Sequence, residues 1–294
     1  MFNLGKMFSN DEKINDALFS ISFDQIKTLE GIRIYGHYSP HHWGRNLPKN
    51  KEGFYLLNAS NHPEIKLFEK KIIPEDQWWK YKINYYNFRD DWNFTNTLDP
   101  KIAFFGDSFT FGDGIDAPDT HPKYIQNLIN ARTYNVGKGG ASLERIARIF
   151  AVFSKFVKYD IAVFTLPHIY REYFVDDAGF LTDLVPNTSE KSEHSKYMEQ
   201  FIHLHENYQK MKLSLCINYI LTVAEFYNIK VLINTWDMPT FDLLKIIAPD
   251  RMMKNVFPPT TDILNARDGL HPGPLAQHEY ADEIAKELYD RAWI

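Results

Sequence analysis

Ile102-Ala103-Phe104-Phe105-Gly106-Asp107-Ser108-Phe109-Thr110-Phe111-Gly112-Asp113-Gly114 joins an apolar run to a turn rich in Gly, Asp and Ser. Four consecutive apolar residues closed by a glycine predict a short strand buried on both faces. Ser108 then stands at a strand-to-helix turn between glycines. Such a turn projects the hydroxyl at the carboxyl edge of the sheet, with neighbouring backbone N–H groups facing the same space, which suits an oxyanion. The same composition also makes an ordinary turn. This stretch alone leaves both readings open.

Downstream of it, strands and helices alternate. Pro122 through Ile129 predicts a short helix, with Pro122 suited to the first turn. Tyr134-Asn135-Val136 is a second strand. Ser142 opens a helix with apolar residues at 143, 146, 147, 150, 153 and 157, close to a 3.6 period. Ile161-Ala162-Val163-Phe164 is a third strand, residues 195–227 form one long helix or two, and Lys230-Val231-Leu232-Ile233-Asn234 is a fourth strand. Pro274 starts a last helix with Ala281, Ile284, Ala285 and Leu288 on one face. This order implies an α/β fold: a mostly parallel sheet of about five strands, covered by helices on both sides. Ligands of such sheets sit beyond the carboxyl ends of the strands.

The chain has 294 residues, enough for roughly two domains, or one with an appendage. Its texture changes near residue 98. Residues 30–97 are dense in aromatics, His, Asn and Pro, without helical period. They predict irregular or short-strand structure, and residues 11–29 one or two short helices. We therefore divide the chain into an aromatic-rich N-terminal segment, 1–97, and an α/β domain, 98–294. Aromatic content of 15% excludes a disordered chain, and a net charge of −5 leaves no electrostatic footprint for nucleic acid. Cys216 has no second cysteine to pair with and lies in an apolar stretch, so it reads as a packed core thiol. The N-terminus lacks the apolar centre of a secretory signal, and the most apolar windows, 146–166 and 215–227, are interrupted by polar residues. The expectation is no membrane partner and a cytoplasmic or virion-associated protein.

The far end of the chain sharpens the reading of Ser108. Arg267-Asp268-Gly269-Leu270-His271-Pro272 precedes the last helix. An Asp three residues before a His lies within one tight turn of it. Its carboxylate can then accept from imidazole Nδ1–H and leave Nε2 free to take a serine proton. A helix-capping Asp beside a surface His would look the same in isolation.

Together these blocks resemble the SGNH hydrolase superfamily, also called the GDSL esterase/lipase family. Gly106 to Gly112 matches its Gly-Asp-Ser-x-(Thr/Ser)-x-Gly block, and Asp268 with His271 matches its Asp-x-x-His block. Asn135-Val136-Gly137-Lys138-Gly139-Gly140 matches its Asn-x-Gly-x-x-Gly stretch. The resemblance covers residues 101–294. It implies a three-layer, flavodoxin-like α/β/α sandwich with Ser108 as nucleophile, His271 as base and Asp268 as its orienting carboxylate. It also implies an oxyanion hole from the N–H groups of Ser108 and Gly140. Asn84-Tyr85-Tyr86-Asn87-Phe88-Arg89-Asp90 resembles a segment preceding the Gly-Asp-Ser strand in microbial and phage members, which suggests that the N-terminal part folds onto the catalytic domain.

One family element is absent. The family follows its third strand with Gly-x-Asn-Asp, whose Asn donates to the oxyanion. Here the chain reads Thr165-Leu166-Pro167-His168-Ile169-Tyr170-Arg171. Losing one oxyanion donor costs about 10²–10³ in turnover, so either another group substitutes, with His168 and Arg171 the candidates, or the enzyme is slow. Asp107 and Trp236 are expected to border the pocket. Trp43, Trp78, Trp79 and Trp92 could stack on sugar rings or pack in the core.

The resemblance implies a serine esterase that removes O-acyl, and by family analogy O-acetyl, groups from a carbohydrate or small-molecule ester. It needs no metal and no organic cofactor. A carbohydrate O-acyltransferase with the same three residues, or a non-catalytic binding module that kept the fold, are the alternatives. Metal readings fall away on spacing. His203 and His205 face different sides of a helix, His41-His42 has no partner pair, and Asp113, Asp116 and Asp119 lack a calcium-loop pattern. Gly137-Lys138-Gly139-Gly140 fits no phosphate-binding fingerprint.

Overall fold

The computed structural model describes residues 54–57, 79–82, 88–89, 98–175, 181–184, 206–257, 266 and 271–294, with backbone placement alone for 54–57, 79–82, 173–175 and 181–184. The expected helices over 11–29, the residues 195–205, Trp43, Trp78, Trp92 and Asp268 lie outside the described residues.

Two short strands, β1 (Phe54–Leu57) and β2 (Trp79–Lys82), pair antiparallel. The α/β body begins with β3 (Lys101–Gly106). It continues through α1 (Ser108–Phe111), α2 (His121–Leu128), β4 (Arg132–Asn135), α3 (Leu143–Phe156) and β5 (Ile161–Leu166). A second antiparallel pair follows, β6 (Glu172–Val175) with β7 (Leu181–Leu184). Then come α4 (Glu206–Tyr227), β8 (Lys230–Thr235), α5 (Met238–Ile247) and α6 (Pro274–Asp290). The β6–β7 pair and α5 are additions to the sequence reading. The aromatic and β-branched run Tyr173-Phe174-Val175 and the Asp237-x-Pro239 start of α5 are the signals for them.

The sheet runs β4-β3-β5-β8, parallel throughout. Residues after α5 continue along its β8 edge. Ile233 and Met252 form a parallel bridge, and Met253 and Phe257 donate backbone N–H to Ile233 and Thr235, each at 2.9 Å. The sheet therefore has four strands where the sequence predicts about five, and the segment after α5 adds only a single bridge at its β8 edge. The chain moves from β3 outward to β4 and returns to the other side of β3 as β5. The switch point of the sheet therefore lies between β3 and β5, where ligands of open α/β sheets bind.

Side-chain alternation along the strands builds two cores. Ala103 and Phe105 face one way, with Val136, Phe150, Ile217, Phe241 and Leu244 from α3, α4, α5 and the loop after β4. Ile102 and Phe104 face the other way, with Ile125 of α2 and Tyr280, Ala281, Ile284 and Leu288 of α6. These are the three layers of an α/β/α sandwich. Each fully buried Phe contributes roughly 1.5–3 kcal/mol. Phe105 stacks on Phe164 at 5.2 Å and meets Phe150 edge-on at the same distance. Ser142 caps α3 as expected, accepting from Arg145 N at 3.3 Å.

Residues Phe88 and Arg89 belong to this body. Phe88 lies in the first core and meets Phe153 edge-on at 6.1 Å. The Arg89 guanidinium is buried and donates to the carbonyls of Phe111, Gly112 and Ile115. It thereby satisfies carbonyls at the C-terminal end of α1 that have no helical partner. Among the described residues no helix is long and apolar enough to cross a membrane, and no group of three or more His, Cys, Asp or Glu could hold a metal.

Candidate active site

Gly106 ends β3 because a side chain there has no room. An added Cβ would sit 2.1 Å from Thr110 Oγ1 and 2.6 Å from the Thr165 carbonyl. The chain then turns into α1 with Asp107 as N-cap. Asp107 Oδ1 accepts from Phe109 N at 3.0 Å. Ser108 is thus the first residue of a tight turn at the carboxyl end of β3, and it is 3% exposed. Gly112 closes that turn with φ +82°, donating to the Ser108 carbonyl at 2.8 Å.

The glycine-rich loop after β4 lies against α1. Asn135 joins the two, donating from Nδ2 to the Thr110 carbonyl at 3.0 Å and accepting Gly137 N–H at 3.0 Å. At Gly137 an added Cβ would approach Phe111 N to 2.4 Å, so only glycine allows this contact. Gly140 follows in the left-handed region with φ +75°. Lys138 is buried beneath this loop. Burial holds its ammonium well below the usual lysine value, Arg145 adds to the shift, and Asp113 opposes it.

His271 reaches the same edge from the C-terminal end of the chain, just before α6. Its ring meets Phe109, the residue after Ser108, edge-on at 5.8 Å. Phe109 also stacks on Trp236 at 4.9 Å. Asp107, Phe109, Trp236 and His271 thus meet at the turn that carries Ser108. Asp268 lies outside the described residues.

The loop after β5 brings Arg171 and His168 to this edge too, each with partners of its own. Arg171 Nη1 stands 2.8 Å from Asp107 Oδ2, an ion pair with both groups buried. Trp236 Nε1 donates to the same Oδ2 at 3.0 Å, and the Arg171 guanidinium carbon lies 5.4 Å from the Trp236 ring centroid. His168 Nδ1 accepts from Tyr170 N at 3.2 Å, which leaves the proton on Nε2, facing Asp237 Oδ1 at 3.3 Å. Burial lowers the His168 pKa, Asp237 raises it and Arg171 lowers it further.

Beneath this loop is a buried charge cluster without a sequence signal. Lys212 Nζ of α4 donates to Glu172 Oε1 at 2.5 Å and to the Arg171 carbonyl at 3.1 Å, and lies 3.5 Å from Glu144 Oε1. Gln209 Nε2 also donates to Glu172, at 2.8 Å. Burial raises the Glu144 pKa. Cys216 is buried nearby, and burial pushes its thiol up to about 12, as suits a packing residue.

No protein-family model matches the chain, and no curated protein matches it. Some solved structures match part of it. One is a psychrotrophic esterase from Pseudoalteromonas sp., 14% identical, covering 67% of this chain and 100% of its own, with a TM-score of 0.44. Another is a protein described as lipolytic, of the G-D-S-L family, from Desulfitobacterium hafniense. It is 10% identical, covers 64% of this chain and 99% of its own, and has a TM-score of 0.43. A family two carbohydrate esterase from Clostridium thermocellum is 15% identical, covering 68% of this chain and 67% of its own, with a TM-score of 0.46. In architecture the chain is a three-layer α/β/α sandwich with a parallel sheet and a Gly-Asp-Ser turn at the end of β3. At this identity and overlap, the chemistry of the site rests on its own residues.

Proposed function

We propose that this chain is an SGNH-type serine esterase that removes O-acyl groups, O-acetyl in particular, from a carbohydrate or a small ester. The observation that carries the reading is the placement of His271 edge-on to Phe109, beside Ser108, at the switch point of the sheet.

Ser108 Oγ attacks the ester carbonyl carbon while His271 Nε2 takes its proton. Asp268 accepts from His271 Nδ1–H and holds the tautomer. The N–H groups of Ser108 and Gly140 receive the negative charge on the carbonyl oxygen. Collapse of the tetrahedral intermediate expels the alcohol, protonated by His271, and leaves an acyl group on Ser108. Water, deprotonated by His271, then releases the acid and restores the hydroxyl. Every proton and electron pair is handled by these residues and the substrate.

The test is release of p-nitrophenol from p-nitrophenyl acetate, with fluorophosphonate labelling of Ser108 read alongside. Ser108→Ala is expected to lower turnover at least about 10³-fold and abolish labelling. Wild-type protein that neither releases p-nitrophenol nor accepts the label overturns the esterase reading.

A further inference from the structure

Asp107 is 0% exposed, and both its oxygens are committed: Oδ1 to Phe109 N, Oδ2 to Trp236 Nε1 and Arg171 Nη1. A carboxylate this deep is stable only with opposite charge and hydrogen-bond donors beside it. Arg171 is the cation, delivered from the loop after β5, the strand paired with β3 through Gly106 and Thr165. Its own backbone is anchored on both sides. Its N–H donates to the His168 carbonyl at 3.0 Å, and its carbonyl accepts from Lys212 Nζ, itself held by Glu172.

We propose that Arg171 is a positioning residue that fixes the Ser108 turn through Asp107, and that it does not bind the oxyanion itself. The proposal rests on the esterase reading for its kinetic consequence and on the Asp107 contacts for its geometry. The guanidinium nitrogen nearest the nucleophile turn faces a fully buried carboxylate. That carboxylate sets the direction of the Phe109 N–H, one residue past Ser108, and so the pitch of α1. Arg171 also lies over Trp236, which stacks on Phe109, the ring that His271 meets. One cation thus supports the neighbours of both nucleophile and base.

A double-mutant cycle tests this. Arg171→Gln and Asp107→Asn are compared singly and together for kcat and KM on p-nitrophenyl acetate. Each single change is expected to lower kcat tenfold or more and to leave KM within about threefold. The double variant is expected to be no more than threefold slower than the slower single, because both remove the same clamp. Losses that multiply, to a hundredfold or more, overturn the proposal and make Arg171 a direct participant. Trp236→Phe keeps an aromatic ring against Phe109 and removes the indole donor to Asp107. It serves if either charge variant fails to fold: a kcat loss at constant KM supports the clamp, and a rise in KM alone overturns it.

Thermal unfolding midpoints of the same four proteins separate this proposal from the esterase reading. Wild-type inactivity overturns that reading only. Midpoint shifts that are strongly non-additive between Arg171→Gln and Asp107→Asn then support the clamp, and additive shifts overturn it.

Discussion

Gln277 of α6 donates from Nε2 to the carbonyl of Phe109, 3.0 Å away, so the last helix holds the turn that carries Ser108. Its Oε1 accepts from the backbone N–H of His121 at 3.0 Å and from His121 Nδ1 at 2.6 Å. One fully buried amide thereby connects α6, α1 and the first turn of α2. Gln277→Leu leaves these groups buried without their partner, each worth about 1–3 kcal/mol. We predict a loss of about 3 kcal/mol in urea unfolding, together with slower labelling of Ser108. A loss below about 0.5 kcal/mol would mean that the amide is dispensable.

His121 predicts a pH dependence of stability. Its Nδ1–H is given to Gln277, and its Nε2 is buried without a partner among Phe104, Phe257 and Tyr280. Burial lowers its pKa from 6.5 to about 4, with the Gln277 bond acting weakly the other way. The unfolded chain therefore binds more protons than the native one between these values. Stability from this group is complete above about pH 6.5, declines as pH falls toward about 4, and changes no further below it. The full difference is about 3 kcal/mol. The measurement is the difference in unfolding free energy between wild type and His121→Asn from pH 7 to 4. A difference that stays constant across that window contradicts the assignment.

Gly137 predicts a steric effect on the same site. An added Cβ would meet Phe111 N at 2.4 Å and the Thr110 carbonyl carbon at 2.7 Å, both backbone atoms that cannot swing away. Gly137→Ala is expected to cost about 1–3 kcal/mol, the usual range for overpacking. It also pushes the Gly140 loop off α1, so labelling of Ser108 is expected to slow tenfold or more. Normal labelling at reduced stability would detach this loop from the nucleophile.

Lys212 predicts the cost of an uncompensated buried charge. It is 5% exposed and neutralises Glu172 and Glu144. Lys212→Met is expected to destabilise by about 3–5 kcal/mol near neutral pH, since removing one partner strands the others. The deficit should shrink as pH falls, because Glu144, whose pKa burial raises and Lys212 holds down, then takes up a proton. A deficit independent of pH would show that the carboxylates find other partners.

The α/β body was legible because apolar runs and caps are local signals. Ile102–Phe105, Ile161–Phe164 and Lys230–Asn234 each fall within an observed strand, and Ser142 and Pro274 mark helix starts. Asp237 also announces α5, accepting Thr240 N–H at 2.8 Å, yet the sequence reading stopped at the strand before it. Gln277, His121 and Lys212 carry no such signal, since their partners lie far along the chain. Nothing in their neighbourhoods distinguishes a buried polar residue from a surface one.

By itself, the sequence determined the order of strands and helices and the identities of the candidate nucleophile and base. Both follow from period, turn chemistry and motif spacing, which act over a few residues. Tertiary structure alone decided what surrounds them. It set Arg171 against Asp107, closed Gly137 on α1 and brought Gln277 to Phe109. Such contacts depend on how a parallel sheet reverses direction and which strand ends it places side by side, and no local pattern encodes that.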